Sequence, residues 1–174
     1  MTVPRASGVW VAVDPGAVRV GVAACDTGEV LASPVATLGS RDAVTGVIAV
    51  VTERDAIGVV VGFPLSMSGA EGTAAAKARS YAEALTNKLS VPVYLVDERL
   101  TTVAASTALR AGGHDSRSAR RVVDQAAATA LLQGILNARA ARGVSCATLL
   151  EGGMGQKVSP ARFDDLDAHE GDRL

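Results

Sequence analysis

Apolar and polar positions along this chain follow two periods, and the switches between them mark out elements. Val9-Trp10-Val11-Ala12-Val13 is a short unbroken apolar run that ends at Asp14-Pro15-Gly16. A run of this kind predicts a strand buried on both faces and therefore central in its sheet. A second β-rich run spans Arg19 to Ala24. Asp26-Thr27-Gly28 offers a hairpin-like turn, and Val30 to Thr37 a third strand, whose Pro34 suits a sheet edge. Three strands joined by short turns predict an antiparallel meander.

The period then lengthens. Ser40 is placed to cap a helix running to about Arg54, with Val44, Val47, Ile48 and Val51 on one face. Ile57 to Gly62 is another continuous apolar strand, followed by a Pro/Gly/Ser loop from Phe63 to Gly72. Thr73 to Leu89 predicts an Ala-rich helix with Tyr81, Ala82, Leu85 and Leu89 at helical spacing. Val91 to Val96 predicts a fifth strand. Thr101 or Thr102 would cap a short helix to Ala111, stopped by Gly112-Gly113. A last helix is expected from about Ser118 to Arg142. The order is βββαβαβαα, an α/β fold with an antiparallel first half and parallel crossovers after it. Residues 1–150 are expected to form the domain, and the Gly- and Asp-rich stretch 151–174 a disordered acidic tail.

Composition narrows this picture. With 48% hydrophobic but only 3% aromatic residues, the core must be packed from Val, Ala, Leu and Ile. Trp10, Tyr81 and Tyr94 all read as core residues. Apolar runs fall short of the roughly 20 residues a membrane span needs, and the first residues lack a signal peptide's apolar segment. The expectation is a cytoplasmic protein without a membrane partner. Cys25 and Cys146 have no Cys/His neighbours at ligand spacing, which argues against zinc. They read as reduced thiols, Cys25 in a strand and Cys146 near a mobile tail, with an intersubunit disulfide as the lesser reading.

The net charge of −1 does not advertise a nucleic-acid binder, but its distribution is uneven. From Glu151 onward there are six acids and three bases, which leaves fourteen bases and twelve acids in the rest of the chain. Seven arginines lie between Arg99 and Arg142, against Asp115 and Asp124. A local basic stripe suits a phosphate backbone; a solvated helical surface explains it equally well.

Three acids sit beside apolar elements. Asp14 ends the first strand, Asp97-Glu98 ends the fifth, and Asp124 lies inside the last helix. If strand ends and helix met, the carboxylates would repel one another unless a cation neutralised them. Oxygen-only ligands select a hard ion, Mg²⁺ or Mn²⁺. Each acid also has an ordinary explanation. Asp14 could initiate a turn, Asp124 could pair with Arg120, and Glu98 could pair with Arg99. Spacing alone leaves these open.

Four blocks carry a family resemblance. Asp14-Pro15-Gly16-Ala17-Val18-Arg19-Val20-Gly21 resembles the Asp-x-Gly-x-x-Arg-x-Gly signature of the bacterial YqgF family, within the RNase H-like superfamily. Val61 to Gly69 resembles its second block, Val96-Asp97-Glu98-Arg99-Leu100-Thr101-Thr102 its third, and Val123-Asp124-Gln125-Ala126-Ala127 its fourth, with Leu131 and Leu132 continuing the apolar helix. Together they span roughly residues 9 to 140 in the right order. Pro15 departs from the family's larger apolar residue, and the loop before Asp124 carries arginines where many relatives have lysine.

The resemblance implies an RNase H-like domain with a five-stranded mixed sheet flanked by helices. It implies that Asp14, Glu98 and Asp124 are catalytic and bind one or two Mg²⁺ or Mn²⁺ ions for phosphodiester hydrolysis. The resemblance makes Glu98 rather than Asp97 the expected ligand, because Glu98 matches the family's position; neighbouring strand residues point to opposite faces, so only one of the two would reach the site. Asp97 is left to bond backbone or a threonine. Gly16 and Gly21 would let backbone approach metal and phosphate. Arg19 and Arg99 would contact phosphate or hold local structure. Arg117, Arg120 and Arg121 would grip the nucleic-acid backbone, and the loop Pro64 to Gly69 would border the groove. The expected partner is structured RNA, with 5′ trimming of precursor 16S ribosomal RNA in ribosome biogenesis as the role. Branched DNA is the alternative, cut by a Holliday junction resolvase in recombination and repair, which would have to dimerise. The state is thus monomer or homodimer. A non-catalytic transcription or ribosome factor is the reading from another class, which an intact carboxylate set disfavours. An actin-like or sugar-kinase ATPase also begins with Asp-x-Gly but needs two such domains, more than 174 residues hold.

Overall fold

The computed structural model describes residues 7–100 and 116–160; for Leu100 and residues 116–122 the description covers the backbone alone. Strands β1 (Trp10–Pro15), β2 (Arg19–Cys25) and β3 (Ala32–Gly39) lead into helix α1 (Ala43–Glu53), strand β4 (Gly58–Phe63), helix α2 (Thr73–Lys88) and strand β5 (Val93–Asp97). After a 3-10 turn (Glu98–Leu100) come the long helix α3 (Ser116–Arg142), the short helix α4 (Cys146–Leu149), a π turn (Leu150–Met154) and strand β6 (Gly155–Lys157). The helix expected to begin at Thr101 or Thr102 and the tail beyond residue 160 lie outside the described residues. No described helix is long and apolar enough to cross a membrane.

The strands form one sheet in the order β3-β2-β1-β4-β5-β6. The meander β1-β2-β3 is antiparallel, and β1, β4 and β5 are mutually parallel. Residues Trp10 to Val13 of β1 are all buried, as the unbroken apolar run requires of a central strand. Strand β3 is the edge, where the missing N–H of Pro34 is tolerated.

Alternation along each strand sorts side chains onto two faces. Val11 and Val13 of β1, Val20 and Val22 of β2, Val59 and Val61 of β4, and Val93 and Leu95 of β5 pack with α1 and α2. Trp10, Ala12, Val60, Tyr94 and Val96 face the other way and pack with Leu131, Leu132, Ile135 and Leu136 of α3. The result is a three-layer sandwich whose core is mostly β-branched and small residues.

Three expectations need correction. Ser40 does not cap α1; its N–H donates to Val18 O at 3.1 Å, which keeps it with the strand ends, and the helix starts three residues later. The sheet has six strands, not five. The sixth comes from the segment expected to be disordered: Gly155–Lys157 pairs antiparallel with β5. Strand β5 would otherwise be an open edge next to buried Tyr94, and backbone pairing closes it without any hydrophobic period to betray it. Cys146 is buried in the first turn of α4 rather than near a mobile tail, and Cys25 is buried too. Neither sulfur is placed to reach a second chain.

Helix α3 is held to the meander by polar bonds as well as by apolar packing. Gln133 Oε1 accepts from Ala32 N at 2.9 Å, its Nε2 donates to Val30 O at 3.1 Å, and Gln125 Nε2 donates to Thr37 Oγ1 at 3.1 Å. Arg139 Nε donates to Glu29 O at 3.1 Å. The Glu29 side chain, 1% exposed, points inward and accepts from Trp10 Nε1 at 3.2 Å, Gly8 N at 3.4 Å and Cys146 N at 3.0 Å. Arg139 Nε lies 3.6 Å from the same carboxylate. One carboxylate therefore ties together the start of β1, the β2–β3 turn, α3 and α4. We expect Glu29→Ala to cost about 3 kcal/mol, because it strands buried donors and the Arg139 charge. Equilibrium urea unfolding measures this, and a loss below about 1 kcal/mol would show that the network is not structural.

Candidate active site

Parallel pairing brings the C-terminal ends of β1, β4 and β5 to one end of the sheet. Asp14 shares the face of Trp10 and Ala12, the face on which α3 packs. Strand β5 ends at Asp97, and Glu98 opens the 3-10 turn that follows it. Asp97 accepts from Arg99 N at 2.9 Å and from Arg99 Nη2 at 2.6 Å. The hydrogen bonds from the Arg99 side chain hold its carboxyl below the usual carboxylate range.

Glu98 reaches Asp14 because the strand between them has no side chain at the crossing. A Cβ on Gly62 of β4 would lie 2.6 Å from Glu98 Oε1. The Asp14 and Glu98 carboxyls are hydrogen-bonded to each other, so one proton is shared by the pair. Burial, reinforced by the neighbouring Asp14 charge, pushes Glu98 up to about 8. Burial also raises Asp14, and the charge of Asp124 adds to the rise.

Asp124 arrives from α3. It shares a helical stripe with Ala128, Leu131 and Ile135, all buried. The helix backbone lies directly on β2 at Gly21, where a Cβ would stand only 1.9 Å from Asp124 O. Gly21 is in turn the register partner of Asp14. Asp124 is thereby set beside Asp14. Its Oδ2 accepts from Arg19 Nε at 3.0 Å, an ion pair between the meander and the helix. Among the described residues, no three acidic, histidine or cysteine side chains are arranged to hold one ion as they stand. Two of the three acids are in contact, and the third is occupied by an arginine.

The profile of the RuvX family, described as Holliday junction resolvase, matches residues 8–138. The chain belongs to the RuvX family. A relative from Thermobifida fusca is 47% identical over 156 residues, covering 84% of this chain and 98% of its own. One from Kineococcus radiotolerans is 50% identical over 136 residues, covering 75% and 72%. Both bear the name "Putative pre-16S rRNA nuclease". Among solved structures, Thermus thermophilus RuvC in complex with a Holliday junction substrate superposes with a TM-score of 0.53 at 14% identity, covering 87% of this chain and 99% of that one. This likeness shows the RNase H-like fold.

Within this RuvX chain the structure shows what several of the expected residues touch. Gly21 makes room for the backbone of α3. Gly16 closes the β1–β2 turn, its N–H donating to Arg19 O at 2.9 Å, and a Cβ there would lie 2.6 Å from that oxygen. Arg19 pairs with Asp124 across the fold. Arg99 pairs with Asp97 rather than with Glu98. The side chains of Arg117, Arg120 and Arg121 lie outside the described residues, on the backbone of the first turns of α3. Gly62 was missed by sequence reasoning. Its signal was there, a glycine inside an otherwise β-branched strand, which marks a close approach.

Two outcomes follow from this geometry. Gly21→Ala drives a methyl into the α3 backbone and should lower the melting temperature by several degrees, about 1–3 kcal/mol of overpacking. An unchanged melting temperature would mean the helix does not rest on β2. Glu98 binds its proton more tightly folded than unfolded, so metal-free stability should fall as pH rises from about 4.5 toward about 8. Glu98→Gln should remove that fall and melt above the wild type at pH 8, which thermal scans across pH would show.

Proposed function

We propose that this chain is a divalent-metal-dependent nuclease that trims precursor 16S ribosomal RNA in the cytoplasm. The observation that carries the reading is the Asp14–Glu98 pair, two half-buried carboxyls pressed together at the end of a sheet with a third acid beside them. Such a cluster is costly for the folded protein and makes sense as a site that a cation completes. The names of relatives at 47% and 50% identity supply the RNA class.

The donor set fits Mg²⁺ or Mn²⁺, because every candidate ligand is a carboxylate oxygen. Asp14, Glu98 and Asp124 would hold the ion, and its binding would displace the proton that Asp14 and Glu98 share. When bound, such an ion lowers the pKa of an attacking water and stabilises the departing 3′ oxygen of the scissile phosphodiester. Asp14, on the rigid central strand, fixes the position of the site. Arg19 holds Asp124 by one oxygen and leaves the other for a ligand role. Arg99, half-exposed next to Glu98, and Arg117, Arg120 and Arg121 supply positive charge along the phosphate backbone. The absence of exposed aromatic side chains among the described residues favours recognition of backbone and shape over base sequence.

A second reading has its own support: the family description is Holliday junction resolvase, and RuvC shares the fold. A resolvase cuts two strands, so it requires two copies of this site.

The purified protein, given Mg²⁺ or Mn²⁺, should shorten a precursor 16S transcript at its 5′ side and leave a four-way DNA junction largely intact. The opposite preference would select the resolvase. Asp14→Asn should lower the rate on the preferred substrate by on the order of 10³-fold, with the melting temperature retained. Full activity of Asp14→Asn would overturn the site assignment, and inertness of the wild type on both substrates would end the nuclease reading.

A further inference from the structure

The loop between β4 and α2 leaves the sheet at the end where Asp14 and Glu98 meet. It is a closed turn. Leu65 bridges Glu71, Ser66 N donates to Ala70 O at 3.1 Å, and Gly69 N donates to Ser66 O at 2.8 Å. Ser66 Oγ accepts from Ala70 N at 3.1 Å, and Gly69 takes the left-handed conformation at φ 81°. Both flanks are clamped. Arg79 lies over the Phe63 ring, 5.0 Å from its centroid, and its Nη2 donates to Glu71 Oε1 at 2.6 Å. Arg99 Nη1 donates to Ser66 O at 3.3 Å while Asp97 holds the rest of the guanidinium.

At the tip stands Met67, 99% exposed. The turn is built and anchored, and Leu65 packs against the core, yet the large apolar side chain of Met67 is left in solvent. Val18, on the neighbouring β1–β2 turn, is 72% exposed at the same end of the sheet. Among the described residues the aromatic side chains are taken: Trp10, Tyr94 and Phe63 are buried, and Tyr81 packs against the α1–α2 core. An apolar group held rigidly beside an acidic site, and left wet, calls for an apolar ligand surface next to the reacting bond. On a nucleic acid that surface is the face of an unstacked base. Methionine is among the side chains that wedge between base steps, and its polarisable thioether contacts aromatic rings well.

We propose that Met67 packs against the first unpaired base where duplex gives way to single strand, and so sets which phosphodiester reaches the Asp14–Glu98 end. The proposal rests on the nuclease reading above. Its probe is a hairpin with a single-stranded overhang, made as RNA and as DNA, carrying 2-aminopurine either at the first unpaired position or within the duplex. With Ca²⁺ in place of Mg²⁺, wild-type protein should change the fluorescence at the unpaired position and not within the duplex. Met67→Ala should abolish that change and raise KM about tenfold with kcat little altered. Met67→Leu should retain both. All three proteins should melt together, because the side chain has no contacts to lose. A Met67→Ala protein that reports and cleaves like the wild type would overturn the wedge alone. A wild type that binds neither hairpin would overturn the nuclease reading and the wedge with it.

Discussion

The whole arrangement hangs on the contact between the backbone of α3 and strand β2 at Gly21. A helix normally stands off a sheet by the length of the side chains between them. Here one side chain is missing, and the carbonyl of Asp124 occupies its place. The register partner of that glycine is Asp14, so the closest point of approach of the helix is also the point where the first strand presents its acid. A second missing side chain, at Gly62, lets Glu98 cross β4 to the same spot. Two absences, not two interactions, bring carboxylates from three distant parts of the chain to one end of the sheet.

Bringing them together sets an electrostatic problem that the surrounding charges solve only in part. Asp97 has Arg99, and Asp124 has Arg19, each at ion-pair distance. Asp14 and Glu98 have chiefly each other, and burial raises both. The fold is therefore least content where its chemistry is expected. The helices and core strands that surround the site are well packed enough to hold it there, with Glu29 anchoring the far end of α3 through Arg139.

Much of this was legible in the residues. The unbroken run Val9–Val13 announced a central strand, Pro34 an edge, and the three apolar strands with their intervening helices a mixed sheet. The acids at strand ends were visible as candidates, but periodicity could not show that they converge; only the motif order did. The partners of the charges were not legible, because Arg19 and Asp124 are 105 residues apart in sequence. Local spacing pointed to Arg120 instead. Strand β6 was invisible for a different reason. It has three residues, Gly155–Lys157, and is specified by the backbone of β5 rather than by any side-chain pattern. The inward turn of Glu29 was equally hidden, since nothing near it in sequence marks its carboxylate as buried.

Strand β6 also bears on how two copies of this chain could associate. It leaves only three residues of ladder on its side of the sheet, with Gln156 and Lys157 exposed. On the other side, β3 interrupts its own outer ladder with Pro34, next to exposed Ser33. Both margins of the sheet are thus poor templates for strand addition. A continuous intermolecular sheet is therefore disfavoured as a mode of assembly. A twofold partnership that put two of these sites on one branched substrate is better served by helices or loops, with its geometry set by side-chain fit rather than by backbone register.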